Sequence, residues 1–323
     1  MNTPALNCLV LSDGRRGILN QALGLAEAAA RIHSLNITTH MIENGRAFKA
    51  LPPRLQFALR STPANYGLTG TLPSIAIGCG RQAIAPLLAI KKARPKCFTI
   101  HVQDPRISAK YFDLVVAPEH DTIRGENVET MIGSPNRITP WRLEEGMHNF
   151  AKQLADLPTP RAAILIGGNS KTHKLGRAQQ AQHIEATKHL LGQGYSLMIS
   201  TSRRTPDWAI REYHALSGGH DNIWLYDGEG DNPYFAFLGA ADIILVTEDS
   251  TNMLTESCAT GKPVFTLLMQ GYPRKFINLY NSLHDECNVK PFTKNVTAED
   301  YKPLNETTRM AENLWDRFNS SNS

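Results

Sequence analysis

A chain of 323 residues is too long for one ordinary hydrophobic core, and division into two domains of roughly 150 residues is expected. Hydrophobic residues at 41% and charged residues at 20% exclude a disordered chain. The net charge of +4, without an arginine-rich tract or a basic motif interleaved with aromatics, excludes nucleic acid as a partner but suits an anionic ligand or a membrane surface.

Apolar runs and helix-like spacings alternate from the N-terminus. "LNCLVLS" (Leu6 to Ser12) reads as a strand ending in Asp13-Gly14, and "NQALGLAEAAARI" (Asn20 to Ile32) as a helix. "NITTHMIE", "PSIAIGCG", "KCFTIHVQDP" and "FDLVVAPEHD" are further strand candidates, with "RQAIAPLLAIKKA" a helix among them. Pro158 and Pro160 break the pattern, which then restarts with the strand Ala162 to Ile166 and a Gly-Gly turn. "YSLMISTSRRTP", "NIWLYDGEG", "ADIILVTEDS" and "KPVFTLL" follow as strands, with "RAQQAQHIEATKHLLGQ" a helix. The tail "ETTRMAENLWDRF" is expected to be helical and the final "SNS" frayed.

Two β/α halves, each opening with a strand that runs into a glycine-containing loop, predict an α/β protein. Its two doubly wound Rossmann-like domains would face each other across a cleft. The expected domains are residues 1–157, residues 158–304 and a C-terminal helix and tail at 305–323, with a hinge near Leu157 to Arg161. Five cysteines, odd in number and without CxxC spacing, suggest neither disulfides nor a zinc site and point to a reducing compartment. No signal-peptide pattern is visible, and no run approaches roughly 18 apolar residues, so a cytoplasmic protein is expected.

Polar clusters fall at strand ends, where open parallel sheets bind ligands. They are Ser12 to Arg16, Gly78 to Arg81, Gln103 to Arg106, Gly167 to Lys171, Ser200 to Arg204, Asp227 to Glu229 and Thr247 to Asn252. "LIGGNSKTHKL" lacks the GxxxxGK[ST] spacing of a P-loop, so an ATPase is rejected. Gly167, Gly168, Asn169, Ser170 and Lys171 nevertheless form a candidate anion site, with a helix expected directly behind the turn. The alternative is a turn that needs glycine for backbone geometry alone.

In "ISTSRRTP", Ser202, Arg203 and Arg204 are candidates for neutralising a diphosphate, against a solvated turn capped by Thr205. Asp249, Ser250 and Asn252 stand at a helix entrance, where Ser250 caps the helix or meets phosphate. Glu256 is a candidate acceptor of ribose hydroxyls, against an exposed helical glutamate. In the first half, "LSDGRRGILNQALGLA" is not GxGxxG, which argues against a nicotinamide cofactor. Asp13 is a candidate general base, with Arg15, Arg16, Asn20, Gln21 and Arg81 on the acceptor side; Asp13-Gly14 as a turn and Asn20 as a cap are the alternatives. His101, His173 and His284 are isolated, so no metal is expected.

"DGRRGILNQALGLAEA", "IGGNSKTH", "ISTSRRTP" and "VTEDSTNMLTESCATGKPV" occur in this order between Asp13 and Val264. Together they resemble the family named after the plant elongated-mitochondria fission factor, which also has many alphaproteobacterial members. Plant members are implicated in recruiting a dynamin-related protein to the mitochondrial surface. The second half also resembles the donor domain of GT-B glycosyltransferases, similar to the lipid-II-forming N-acetylglucosaminyltransferases. That resemblance implies that Gly167, Gly168, Ser170, Ser202, Ser250 and Glu256 hold the diphosphate and ribose of a UDP-sugar. Glu248-Asp249 and Asn252-Met253 in the helix-entrance loop leave the sugar open.

The expected function is therefore metal-independent transfer of a sugar from a nucleotide diphosphate to an acceptor hydroxyl, without a further cofactor. The acceptor would be a glycan or a cell-envelope glycolipid, reached by peripheral contact at the inner face of the membrane. The alternatives are a sugar-nucleotide epimerase of the same fold and a non-catalytic adaptor.

Overall fold

In the computed structural model, which describes residues 5–271, 274–294 and 299–322, the apolar runs of the first half become parallel strands. They are β1 (Leu6–Ser12), β2 (Leu35–Met41), β3 (Ile75–Cys79), β4 (Phe98–Val102), β5 (Leu114–Pro118) and β6 (Val128–Met131). Between them run α1 (Arg16–Ile32), α2 (Arg46–Ala50), α3 (Pro53–Leu59) and α4 (Ile84–Ala93). The second half has α5 (Pro140–Asn149), α6 (Ala151–Ala155), β7 (Arg161–Leu165), α7 (Arg177–Gly192), β8 (Ser196–Ser200), α8 (Asp207–Ser217) and β9 (Ile223–Tyr226). It continues with α9 (Tyr234–Ala240), β10 (Ile243–Thr247), α10 (Thr251–Cys258), β11 (Val264–Leu267), α11 (Ile277–Cys287) and β12 (Lys290–Pro291); α12 (Glu306–Asn322) closes the chain. Each half is a doubly wound α/β unit with an all-parallel six-stranded sheet, in the orders β2-β1-β3-β4-β5-β6 and β12-β11-β10-β7-β8-β9.

The central strands β3, β4, β5 and β10 are buried at every residue, because helices cover both sheet faces. On one face of the first sheet, α1 buries Ala22, Leu25, Ala26 and Ala29, a spacing of three and four residues that makes one helical stripe. Met310, Ala311, Leu314 and Trp315 of α12 complete that layer, and the Trp315 indole N–H donates to the Ala29 carbonyl at 3.0 Å. The other face is filled by Ile84, Leu87 and Ile90 of α4. Truncating Leu25 to Ala would cost on the order of 2–5 kcal/mol, since the site is fully enclosed.

The compact units divide at Arg137 and Ile138, not at the expected hinge. Residues 305–323 belong to the first unit instead of standing apart. The cause is the apolar stripe of α12, reinforced where the Glu306 carboxylate accepts from the Ile132 N–H at 2.7 Å and Arg317 pairs with Glu129 at 2.6 Å. Leu157 to Arg161 lie inside the second unit, where the Arg161 N–H donates to Asp242 at 2.6 Å. Of the expected frayed end, Ser321 and Asn322 are helical and Ser323 lies outside the described residues, as do residues 1–4 of the N-terminal reading. All five cysteines are buried free thiols. Among the described residues no helix is long and apolar enough to cross a membrane, and no group of three or more His, Cys, Asp or Glu could hold a metal ion.

Candidate functional site

In each sheet the strand order reverses once, and the loops on either side of that point diverge and leave a crevice at the carboxyl ends of the strands. In the second unit the reversal lies between β7 and β10, which places Gly167-Gly168 beside Thr247 to Ser250. In the first unit it lies between β1 and β3, with Asp13 to Arg16 beside Gly80-Arg81. The sequence clusters therefore sit where this topology makes room for a ligand.

The β7 loop does not run straight into a helix. It continues to Gly176, and α7 begins only at Arg177, so the expected anion site directly behind Ser170 is not formed in this way. Its N–H groups are spent internally. Gly167 N–H donates to Thr247 Oγ1 at 2.7 Å, Gly168 N–H to Asp249 Oδ2 at 3.0 Å, Asn169 N–H to the Arg204 carbonyl at 3.0 Å and Ser170 N–H to the His173 carbonyl at 2.8 Å. The Ser170 hydroxyl closes the turn by accepting from Thr172 N–H and His173 N–H, and Asn169 Oδ1 accepts from Leu175 N–H. Lys171 is exposed.

Asp249 is the centre of this knot. Its side chain is fully buried; Oδ2 receives the Arg204 guanidinium at 2.7 Å as well as Gly168 N–H, while Oδ1 is buried with no hydrogen-bond partner. A Cβ on Gly167 would overlap that carboxylate and one on Gly168 the Arg204 carbonyl, so both glycines are required by close approach. Ser202 donates to the Gly167 carbonyl at 2.9 Å and accepts from Arg204 N–H. Thr205 is not the helix cap, because α8 starts beyond Pro206; its buried hydroxyl is bonded to the carbonyls of Ile166 and Gly167. Of the two candidate arginines, Arg203 is exposed and Arg204 is engaged by Asp249.

Ser250 caps α10, accepting from Met253 N–H at 3.4 Å, and Asn252 lies half-buried in the first turn. Glu256 is not an exposed helical residue: it is half-buried, and Tyr234, at the start of α9, donates its hydroxyl to Oε2 at 2.6 Å. Burial pushes the Glu256 carboxyl up to about 7, partly offset by the Tyr234 hydrogen bond. The Tyr234 phenol is pushed well above its ordinary value by burial and by the neighbouring carboxylate. Nothing in the local sequence signals Tyr234, because it is brought to Glu256 from a separate helix. Glu248, also in the β10 loop, has its carboxyl raised by burial while it accepts from Met269 N–H at 3.1 Å. Tyr280 donates to the Glu248 carbonyl at 3.1 Å and meets His173 Nε2 at 3.3 Å; burial lowers the His173 pKa.

In the first unit, Asp13 and Arg15 find each other. The guanidinium donates twice to Asp13 Oδ2, at 2.9 and 2.6 Å, which leaves the Asp13 side chain 7% exposed. The candidate base and the candidate clamp are thus one ion pair. Arg16 is the exposed first residue of α1, and Asn20 lies inside that helix rather than capping it. Gln21 is buried: its Oε1 accepts from Gln103 Nε2 at 2.9 Å and from the Cys79 thiol at 3.3 Å. Arg81 donates to the carbonyls of Ala50 and Leu51 at 2.9 and 2.7 Å. Gln103 has φ of 80°, a strained value for a residue with a side chain, held by its N–H to Val116 and by His101 against its carbonyl. A cavity of about 370 Å³ beside Asp13 is lined by Met41, Glu43, Asn44 and Lys49.

Known proteins share this architecture. The UDP-GlcNAc 2-epimerase of Methanocaldococcus jannaschii superposes with a TM-score of 0.55 at 13% identity, over 97% of this chain and 100% of that one. The Neisseria meningitidis UDP-GlcNAc 2-epimerase, solved bound to UDP-GlcNAc, gives 0.56 at 12% identity over 98% and 91%. At such identities the likeness shows a shared GT-B-type fold. In sequence, the Mitochondrial fission protein ELM1 of Arabidopsis thaliana is 26% identical over 75% of this chain, and the match spans 63% of the plant protein's length. An uncharacterized protein of Rickettsia prowazekii is 24% identical over 95% of this chain and 97% of its own. The family profile described as Mitochondrial fission ELM1 matches residues 16–318, and the chain belongs to that family.

Proposed function

We propose that the second unit binds a nucleoside diphosphate sugar, UDP-linked, and that the protein transfers the sugar to an acceptor hydroxyl. The observation that carries the reading is the Glu256–Tyr234 pair on α10 and α9, beside the strand reversal between β7 and β10. A half-buried carboxylate with one oxygen on a tyrosine and the other available is suited to a ribose hydroxyl. Phosphate charge would be met by the N-terminal turn of α10 and by Arg203 and Lys171, the exposed cations of the neighbouring loops. Ser170, Ser202, Asn169 and the two glycines build the loop on which those groups stand. Asp13 would take the acceptor proton once Arg15 turns from it to an acidic group of the acceptor. No metal or further cofactor is needed in this scheme, because cationic side chains and helix dipoles stabilise the departing diphosphate.

A glycan or glycolipid is the acceptor class this reading favours. The solved epimerases of the same fold bind UDP-GlcNAc, which supports a UDP-sugar and keeps epimerisation as a second reading. Calorimetry with UDP, followed by product analysis on a UDP-sugar panel, tests both readings. UDP at about 100 times its Kd should raise stability by about 2.7 kcal/mol. Transfer or hydrolysis supports the first reading and epimer formation the second. Absence of any nucleoside diphosphate binding removes both and leaves the adaptor role.

A further inference from the structure

Charge is distributed unevenly along this chain. Between Asn44 and Gln103 there is no Asp or Glu, while nine Lys and Arg occur; the rest of the chain carries 25 Lys and Arg against all 30 Asp and Glu. The stretch contains the buried strands β3 and β4, and its outer part, α2, α3 and the short turn Pro63–Tyr66, packs outside α4. Its inner half is held by Gln56, fully buried, whose amide donates to the carbonyls of Phe48 and Leu51 at 3.0 and 2.8 Å. The outer half is cationic. Arg46, Lys49, Arg54, Arg81 and Lys92 are exposed.

Exposed apolar side chains stand among these cations. Leu55 and Leu59, one turn apart on α3, are 44% and 63% exposed, and Tyr111 is 45% exposed. Arg54 lies 5.4 Å from the Tyr111 ring centroid and Lys92 5.9 Å from that of Phe57, so cations and apolar groups share one surface. Glu43 marks the acidic edge, and Asp113, which reaches this side from the neighbouring β5 segment, is neutralised by Lys91 at 2.7 Å.

We infer that this face, built on α2 and α3, docks the protein on an anionic lipid bilayer. The combination selects the partner. Leucines that stand free have no use against a nucleic-acid backbone but gain by entering the acyl boundary, while lysine and arginine meet the headgroup phosphates. The acid-free composition removes the like-charge repulsion that scattered surface acids would cause. The inference stands apart from the nucleotide-sugar reading, since binding to vesicles requires no nucleotide.

The test is co-sedimentation of the full chain with vesicles of phosphatidylcholine alone and of phosphatidylcholine mixed with phosphatidylglycerol, at low and high salt. Binding to the anionic vesicles, reduced by salt, is expected. Each cation removed from the face should weaken it about fivefold, the equivalent of about 1 kcal/mol per Lys or Arg near a charged membrane. Lys49→Gln with Arg54→Gln should therefore cost roughly 25-fold, and Leu55→Ser with Leu59→Ser on the order of tenfold. These side chains are exposed, so thermal melts of the variants should match wild type, and the Arg203→Ala variant should bind vesicles normally. Equal binding to both vesicle types, no binding to either, or full binding by both double variants would overturn the inference. So would capture of RNA or DNA in preference to anionic vesicles, unaffected by the leucine substitutions.

Discussion

The Glu256–Tyr234 pair makes nucleotide affinity depend on pH in a calculable way. Burial raises the Glu256 carboxyl to about 7 from an ordinary value near 4.5, a preference for the protonated form of about 3 kcal/mol. Ribose hydroxyls donate best to the ionised carboxylate, so below pH 7 the proton competes with the nucleotide. Affinity for UDP should be flat above about pH 8 and fall by up to tenfold per unit below 7. The phosphate of UDP itself titrates near pH ~6, so the informative quantity is the ratio of UDP to 2′,3′-dideoxy-UDP affinity, in which that titration cancels. Isothermal calorimetry at several pH values measures it.

Wild type should prefer UDP at pH 8 and lose much of the preference by pH 5.5, and Glu256→Ala should show little preference at any pH. Glu256→Ala should cost about 2–4 kcal/mol of UDP affinity at pH 8, and Glu256→Gln less, since it keeps an acceptor. Tyr234→Phe removes the hydrogen bond that holds the carboxyl down and should move the break to higher pH. The same shift acts on folding. Between about pH 4.5 and 7 the folded state holds a proton that the unfolded chain has released, so stability declines as pH rises through that window. Glu256→Gln should flatten the decline, whereas Glu256→Ala leaves the Tyr234 hydroxyl without its acceptor and should cost about 1–3 kcal/mol. Were Glu256→Ala to discriminate between the two nucleotides as strongly as wild type, Glu256 would not contact the ribose and the reasoning would fail.

Arg203→Ala should weaken UDP binding by about 1.5–3 kcal/mol, leave uridine binding and the melting temperature unchanged, and so report phosphate contact; equal losses for uridine and UDP would move Arg203 off the phosphates. Arg204→Ala should instead be read in thermal melts, with a loss of about 3–5 kcal/mol because Asp249 is left buried without its cation; Arg204→Ala with Asp249→Asn should recover part of it. Gly168→Ala places a methyl group on the Arg204 carbonyl and should destabilise the second unit by several kcal/mol, on the order of the largest point effects, checked by urea unfolding. Asp13→Asn should leave folding and UDP affinity nearly unchanged while reducing transfer by roughly 10²–10⁴-fold, measured as turnover of a UDP-sugar in the presence of acceptor.

Much of this protein is legible from periodicity. The central strands lie under helices on both faces, so runs such as "IAIGC" and "IILVT" stay apolar throughout and stand out from their surroundings. Glycine and polar residues mark where each strand leaves the core, which is why the clusters at Asp13, Gly167, Ser202 and Ser250 could be placed at one kind of edge before any fold was known. Helices α2, α3 and α9, five to seven residues long, are too short to show a stripe, and α5 buries only Gly146. Contacts distant in sequence were decided by tertiary structure alone. The stripe on α12 has no visible partner until α1 is beside it, which is why the tail belongs to the first unit. The N–H groups of Gly167 to Asn169 look like an open anion cradle until Thr247, Asp249 and Arg204 arrive from other strands and loops and occupy them. For Glu256 the sequence leaves a ribose acceptor and an exposed helical glutamate both open until Tyr234 covers it, because burial and the hydrogen bond that set its protonation both come from a segment with which it shares no local pattern.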